Sequence, residues 1–221
     1  VMASTIMHIA IAENIYRKIN NNKNEINYYD FILGSIAPDI SKQVGENKKI
    51  SHFIYDDSSN PDLISFLNKY RDSLTNSFML GYYIHLFSDR LFYSEFLPLF
   101  VRDDIINSYV KCLDGNTLNM SKDERKSLLY NDYTNLNISL IDEYGLNLEI
   151  FYDDYKMPIC DIEEIDLSKL PVLIDNIGII IENATNDKNY IIDISKVKSF
   201  IDSCSDEIYN NLISLNVIKQ G

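Results

Sequence analysis

The chain of 221 residues is 46% hydrophobic and has no low-complexity tract, which allows one substantial core in a single domain. Lys and Arg number 20 against 33 Asp and Glu, and the resulting net charge of −13 argues against a nucleic-acid groove or an anionic membrane surface as an electrostatically attracted partner. No apolar run approaches the roughly 20 residues of a membrane-spanning helix.

From Ser4 or Thr5, either a fitting N-cap, the residues His8, Ile11, Ala12, Ile15 and Ile19 recur at helical spacing until the Asn20-Asn21-Asn22 run. The apolar stretch Ile6 to Ala12 contains His8, with no basic region before it and no small-residue cleavage site after it. It therefore reads as part of this helix and not as an export signal. His8 lies on the helix's apolar face, as a core histidine or as a metal ligand. Tyr28 to Ile40 is a second apolar segment, ending in the Pro38 turn that presents Asp39. Such an acid is a turn or cap residue, or a functional one at an exit from packed structure. Residues 41 to 51 are polar and read as loop, and His52 follows in a short aromatic context.

Asn60-Pro61 reads as the start of a helix with Leu63, Phe66, Leu67 and Tyr70 on its apolar face. The next segment, from about Asn76 to Phe96 with Pro98 as its stop, is the most apolar helix of the chain. Residues four apart stack on one face, so His85 and Asp89 point at the same place. Gly81, one turn before His85, leaves room for another backbone or a ligand. A helix over Leu99 to Cys112 is expected next, closed by an Asp114-Gly115 turn.

Ser121 to Glu124 forms a capping box that opens a helix running to about Tyr144, with Gly145 as its stop. Asp132 interrupts the apolar stripe of Leu128, Leu136 and Leu140 on that helix. A carboxylate there needs a salt bridge, an edge position or a metal. Leu146 to Tyr152 alternates weakly, as a short strand or extended arm, and Asp153 to Asp166 is an acidic connection. Pro171 to Asn183 and Asp193 to Leu215 complete the chain as helices. The expected fold is all-α: one helical domain over 1–221, with the motif-bearing half at 4–96 and a helical remainder at 97–217.

Cys112, Cys160 and Cys204 are widely spaced and form no CxxC or Cys/His zinc pattern, so they read as reduced, structural residues of a cytoplasmic protein. The chain also has no phosphate-binding Gly-rich loop and no GxSxG elbow. All of its histidines, His8, His52 and His85, fall in the first 90 residues, with Asp39 and Asp89 the acids best placed to join them. Nitrogen and carboxylate ligands of this kind suit Zn²⁺ and also accommodate Mn²⁺ or Fe²⁺. A site that keeps a water in an open position is hydrolytic, whereas a closed one belongs to a non-catalytic or regulatory metal-binding module.

Ser4-Thr5-Ile6-Met7-His8, Leu33-Gly34-Ser35-Ile36-Ala37-Pro38-Asp39, Ser51-His52-Phe53 and Leu80 to Asp89 resemble, in order and spacing, the zinc-dependent phospholipase C family, a helical fold related to the S1/P1 nucleases. The resemblance implies that Asp39, His52, His85 and Asp89 hold one zinc ion, and that Asp89 bridges to a second ion held by His8. It further implies that Asp39 is the base for the attacking water. The implied activity is hydrolysis of a phosphoester, a phospholipid or a smaller phosphodiester, by metal-activated water. Secreted members complete the second metal with an N-terminal Trp and build a third site from later histidines. This chain has no Trp and no His after His85, and Glu95 stands where the first of those histidines would be. With Glu95 and Asp132 as the available substitutes, one or two ions are expected.

Overall fold

The computed structural model describes residues 3–20, 25–56, 60–153 and 155–219. Helix α1 spans Thr5–Asn20, α2 Tyr28–Gly34, α3 Ile40–Gln43, α4 Lys48–Ser51, α5 Leu63–Tyr70 and α6 Ser77–Leu91. A three-stranded antiparallel sheet follows, with β1 at Val101–Asp103, β2 at Asn107–Lys111 and β3 at Thr117–Ser121 in the order β1-β2-β3. Helices α7 (Lys122–Tyr144), α8 (Ile150–Asp153), α9 (Leu170–Glu182) and α10 (Ile194–Ser214) complete the fold. Asn21 and Asn22 of the polar run expected to end α1 lie outside the described residues.

The local signals for the long helices hold. Ser4 Oγ accepts from Met7 N at the start of α1, Asn76 caps α6 by accepting from Phe78 N and Met79 N, and the Ser121–Glu124 capping box closes in both directions. Gly145 ends α7 in the left-handed region at φ 56°. The central helix reaches Phe96 as expected, but its last turn, Phe92–Phe96, is π-helical, and Pro98 lies in the 3₁₀ turn that stops it.

Four expectations are corrected. The chain is mostly helical but not purely so, because Val101 to Ser121 forms the sheet where a helix over Leu99–Cys112 was expected. Asp104 Oδ1 accepts from the amides of Ile106 and Asn107, a side-chain-closed turn that competes with helix continuation, and Arg102 stacks over its cross-strand partner Tyr109. The Asp114-Gly115 turn does exist, as the β2–β3 hairpin with Gly115 at φ 88°. Residues 41–51, read as loop, contain α4 and all of α3 but Ile40, single turns too short to show a period, with Asn47 capping α4 by accepting from Lys49 N. The helix expected from Asn60-Pro61 begins at Leu63, where Asp62 accepts from Ile64 N and Ser65 N. The stretch from Leu146 to Tyr152 forms no strand and leads into α8.

One packing detail sets the geometry of the site. A Cβ on Gly81 would meet Phe31 O at 2.1 Å, and a Cβ on Gly34 would meet Phe78 O at 2.1 Å. Helices α2 and α6 therefore touch backbone to backbone, which only a pair of glycines permits. The contact brings the end of α2, with its Ser35 carbonyl, against the His85 turn of α6. The core around it is aromatic: Phe66 stacks near Tyr82 and Tyr83 and meets Phe53 edge-on.

Candidate metal centre

Four parts of the chain deliver side chains to one buried point. His8 comes from the second turn of α1, and its ring stacks on that of His85 with centroids 3.8 Å apart. Asp39 ends the 3₁₀ turn that Pro38 opens after α2. His52 caps the end of α4, and the next residue, Phe53, closes that turn in the left-handed region at φ 53°. An aromatic residue there is strained by about 1–2 kcal/mol, and its conformation persists because the ring is packed against Phe66 and Tyr70. His85 and Asp89 lie on α6. All five side chains are buried.

The ligand atoms form two overlapping groups, His8 with His85 and Asp89, and Asp39 with His52 and His85, each lying within 4.8 Å. His8 Nε2 is 3.4 Å from Asp89 Oδ1, and His52 Nε2 is 3.6 Å from Asp39 Oδ1 and 3.7 Å from Asp89 Oδ2. His85 Nε2 is 3.7 Å from Asp89 Oδ2 and 3.3 Å from His52 Nε2. His8 Nε2, Asp39 Oδ1 and Asp89 Oδ2 are buried with no hydrogen-bond partner.

Hydrogen bonds on the far side of each ring fix the tautomers. His85 Nδ1 is 2.8 Å from Ser35 O and His52 Nδ1 is 3.0 Å from Lys48 O, and a carbonyl only accepts, so each Nδ1 carries the proton. The Ser88 hydroxyl donates to His85 O at 2.8 Å and accepts from His8 Nδ1 at 2.8 Å. Each imidazole therefore turns its Nε2 inward, the nitrogen through which a neutral ring with this tautomer ligates metals. Three lone-pair nitrogens and two carboxylates in a buried space repel one another unless a cation lies among them.

The electrostatics agree. Burial, reinforced by neighbouring His8, pushes His85 down to about 3 against the pull of Asp89 and Asp39, so the ring is neutral at physiological pH. Burial alone would raise Asp39, but the His52 and His85 imidazoles outweigh it and hold the carboxyl well below the usual range. Asp89 is lowered in the same way, against burial, chiefly by His8. Both acids remain ionised, and the donor set fits a divalent metal such as zinc.

Asp39 also borders a cleft of about 440 Å³ formed by the start of α1, by α3 and by the facing sides of α7 and α9. Lys42, Lys126, Tyr130, Tyr133 and Asn137 are among its lining. Lys42 Nζ donates to Tyr130 Oη at 2.9 Å. Burial disfavours its cation, yet that hydrogen bond and the charges of Asp39 and Asp89 raise its pKa. Sequence patterns did not single out these residues, which gather from separate helices. Ser88 was more accessible to sequence reasoning, standing three residues after His85 on the same helix.

Asp132 and Glu95 do not join the cluster. Asp132 is fully buried, but Oδ1 accepts from Tyr190 N at 2.8 Å, and Oδ2 accepts from Ile191 N at 2.7 Å and Ile192 N at 2.9 Å. The carboxylate thus staples the segment before α10 to α7, and Asp132 is in neither of the two candidate ligand groups among the described residues. Glu95 is exposed on the π-helical turn, beside Phe200 of α10 in another surface cavity.

The sequence model described as zinc dependent phospholipase C matches residues 7–92, which contain His8, Asp39, His52, His85 and Asp89. The match bears out the resemblance read from the motifs, and with the His/Asp groups it supports a zinc-dependent hydrolase at the family level. No curated protein and no solved structure matches the chain. Among the described residues, no helix is long and apolar enough to cross a membrane.

Proposed function

We propose that the protein is a zinc-dependent phosphoester hydrolase of the phospholipase C type, with His8, Asp39, His52, His85 and Asp89 as its metal ligands. The observation that carries this reading is the set of inward-facing atoms without hydrogen-bond partners, His8 Nε2, Asp39 Oδ1 and Asp89 Oδ2, all buried beside the inward Nε2 atoms of His52 and His85. One or two zinc ions in this cluster would supply activated water and offset charge that develops on the phosphoryl oxygens. The Ser35 and Lys48 carbonyls and the Ser88 hydroxyl hold the rings in their ligating tautomer. Asp39 stands between the cluster and the cleft, where it accepts the hydrogen bond of the attacking water. Lys42 and Lys126 attract the anionic substrate to a chain whose overall charge would repel it. The free cysteines fit a reducing, cytoplasmic setting.

Zinc stoichiometry and turnover of bis-p-nitrophenyl phosphate, measured before and after chelation and again after zinc is restored, test the proposal. At least one equivalent of zinc and reversible loss of hydrolysis are expected. His85→Ala loses its zinc with its far-ultraviolet helix signal retained. Asp39→Asn lowers turnover by about 10²-fold or more, the scale of a positioned proton acceptor. Tight zinc without turnover of any phosphodiester overturns the hydrolase in favour of a binding module. Less than about half an equivalent of zinc after reconstitution removes the metal centre altogether.

A further inference from the structure

The cleft beside the cluster carries a preference of its own. Lys42 and Lys126 both line the cleft and both contact the Tyr130 ring, with Nζ 5.0 Å and 5.8 Å from its centroid. Among the described residues, Asp39 is the sole carboxylate lining the cleft, and the metal cluster claims it. A cationic headgroup would therefore find two like charges and no free counter-charge. Asn137 lines the same cleft, is 5% exposed, and keeps Oδ1 buried without a partner, an acceptor that a ligand hydroxyl, not its anionic oxygens, would satisfy. At about 440 Å³ the space is of the size that takes a small polar ligand beyond a phosphate.

Resting on the hydrolase reading, we infer that the cleft selects phosphoesters whose headgroup carries a second negative charge, a phosphate or carboxylate paired with Lys42 and Lys126. A zwitterionic or cationic headgroup is disfavoured. The two lysines determine specificity and hold no metal, so their replacement changes preference and leaves zinc content unaltered.

Calorimetry on the zinc-loaded protein compares 3-phosphoglycerate, which has a phosphate and a carboxylate, with phosphocholine, which has a phosphate and a cation. The expected result is binding of 3-phosphoglycerate about tenfold tighter or more, the scale of a charge-assisted hydrogen bond. In the double variant Lys42→Met/Lys126→Met the ratio collapses toward one while zinc stoichiometry and thermal midpoint hold. Equal or tighter binding of phosphocholine, a ratio that survives in the double variant, or no binding of either probe overturns the inference. Cosedimentation with vesicles containing phosphatidylinositol 4-phosphate assigns the second charge to a lipid headgroup. Its absence, with 3-phosphoglycerate binding retained, assigns it to a soluble phosphoester. Hydrolysis of bis-p-nitrophenyl phosphate reads the parent proposal separately. Turnover without the anion preference removes this inference alone, and the preference without turnover removes the hydrolase and leaves an anion-binding cleft.

Discussion

Asp132 shows how a buried acid can be satisfied without a metal. Its two oxygens take three backbone amides from residues 190–192, about 60 positions along the chain, and a carboxylate in such a cradle is well compensated. Asp132→Asn keeps the shape but presents an NH₂ group to N–H donors, so a loss of about 1–3 kcal/mol is expected. In a chain of this size that corresponds to roughly 2–12 °C in thermal midpoint. Zinc stoichiometry should not change, and a loss of zinc in this variant would return Asp132 to the metal centre. The sequence exposed the anomaly, an acid in the apolar stripe of Leu128, Leu136 and Leu140, but its resolution depends on amides that only the fold brings near. His85 and Asp89 were legible for the opposite reason: one helical turn suffices to converge them. His8, Asp39 and His52 became legible through their order in the motifs, while Lys42, Lys126 and Asn137 belong to no local pattern.

At the level of elements, the contact of α2 with α6 matters most. Gly81→Ala forces a Cβ onto Phe31 O and the Ser35 amide, both backbone, so the helices must separate. The expected cost is about 1–3 kcal/mol or more, as for overpacking a tight core. Separation also withdraws Ser35 O from His85 Nδ1, so zinc affinity should fall together with stability. A Gly81→Ala protein with an unchanged melting curve and full zinc would contradict this backbone-to-backbone packing. The room that sequence assigned to Gly81 is indeed taken by another backbone. The stretch from Leu99 to Cys112 reads as helix because Val101, Ile105, Tyr109 and Cys112 recur at helical spacing. Ile105 is 94% exposed at the hairpin tip, so that periodicity was not a buried face. The contrary signal was the Asp103-Asp104 and Asn107 turn chemistry, which outweighs a short apolar rhythm.

Across the whole molecule the buried His/Asp cluster couples acidity to stability. His85 is held near 3 in the folded protein against about 6.5 in an unfolded chain, so as pH falls the unfolded state binds the proton first and folding weakens from about pH 6.5 downward. Asp39 and Asp89, both lowered, add stability that is present above the ordinary carboxylate range and is lost below it. The two effects run in the same direction. Urea midpoints of the zinc-free protein should therefore fall progressively between pH 7 and pH 4.5, and a flat profile would show that these groups titrate normally. Zinc at a hundredfold excess over its dissociation constant should add about 2.7 kcal/mol to the folded state. That is an upward shift of roughly 5–11 °C, abolished by chelator and absent in His85→Ala.

The proposed ligands all precede residue 90, whereas Lys126, Tyr130, Tyr133 and Asn137 reach the cleft from α7, beyond the segment that matches the family. Inheritance of the two parts can therefore be uncoupled. A change in α7 or α9 could retune which molecule is accepted while the ion and its donors stay as they are. The same boundary gives an engineer a natural crossover point: grafting a different 93–221 onto this 1–92 would keep the proposed ligand set and replace most of the proposed substrate wall.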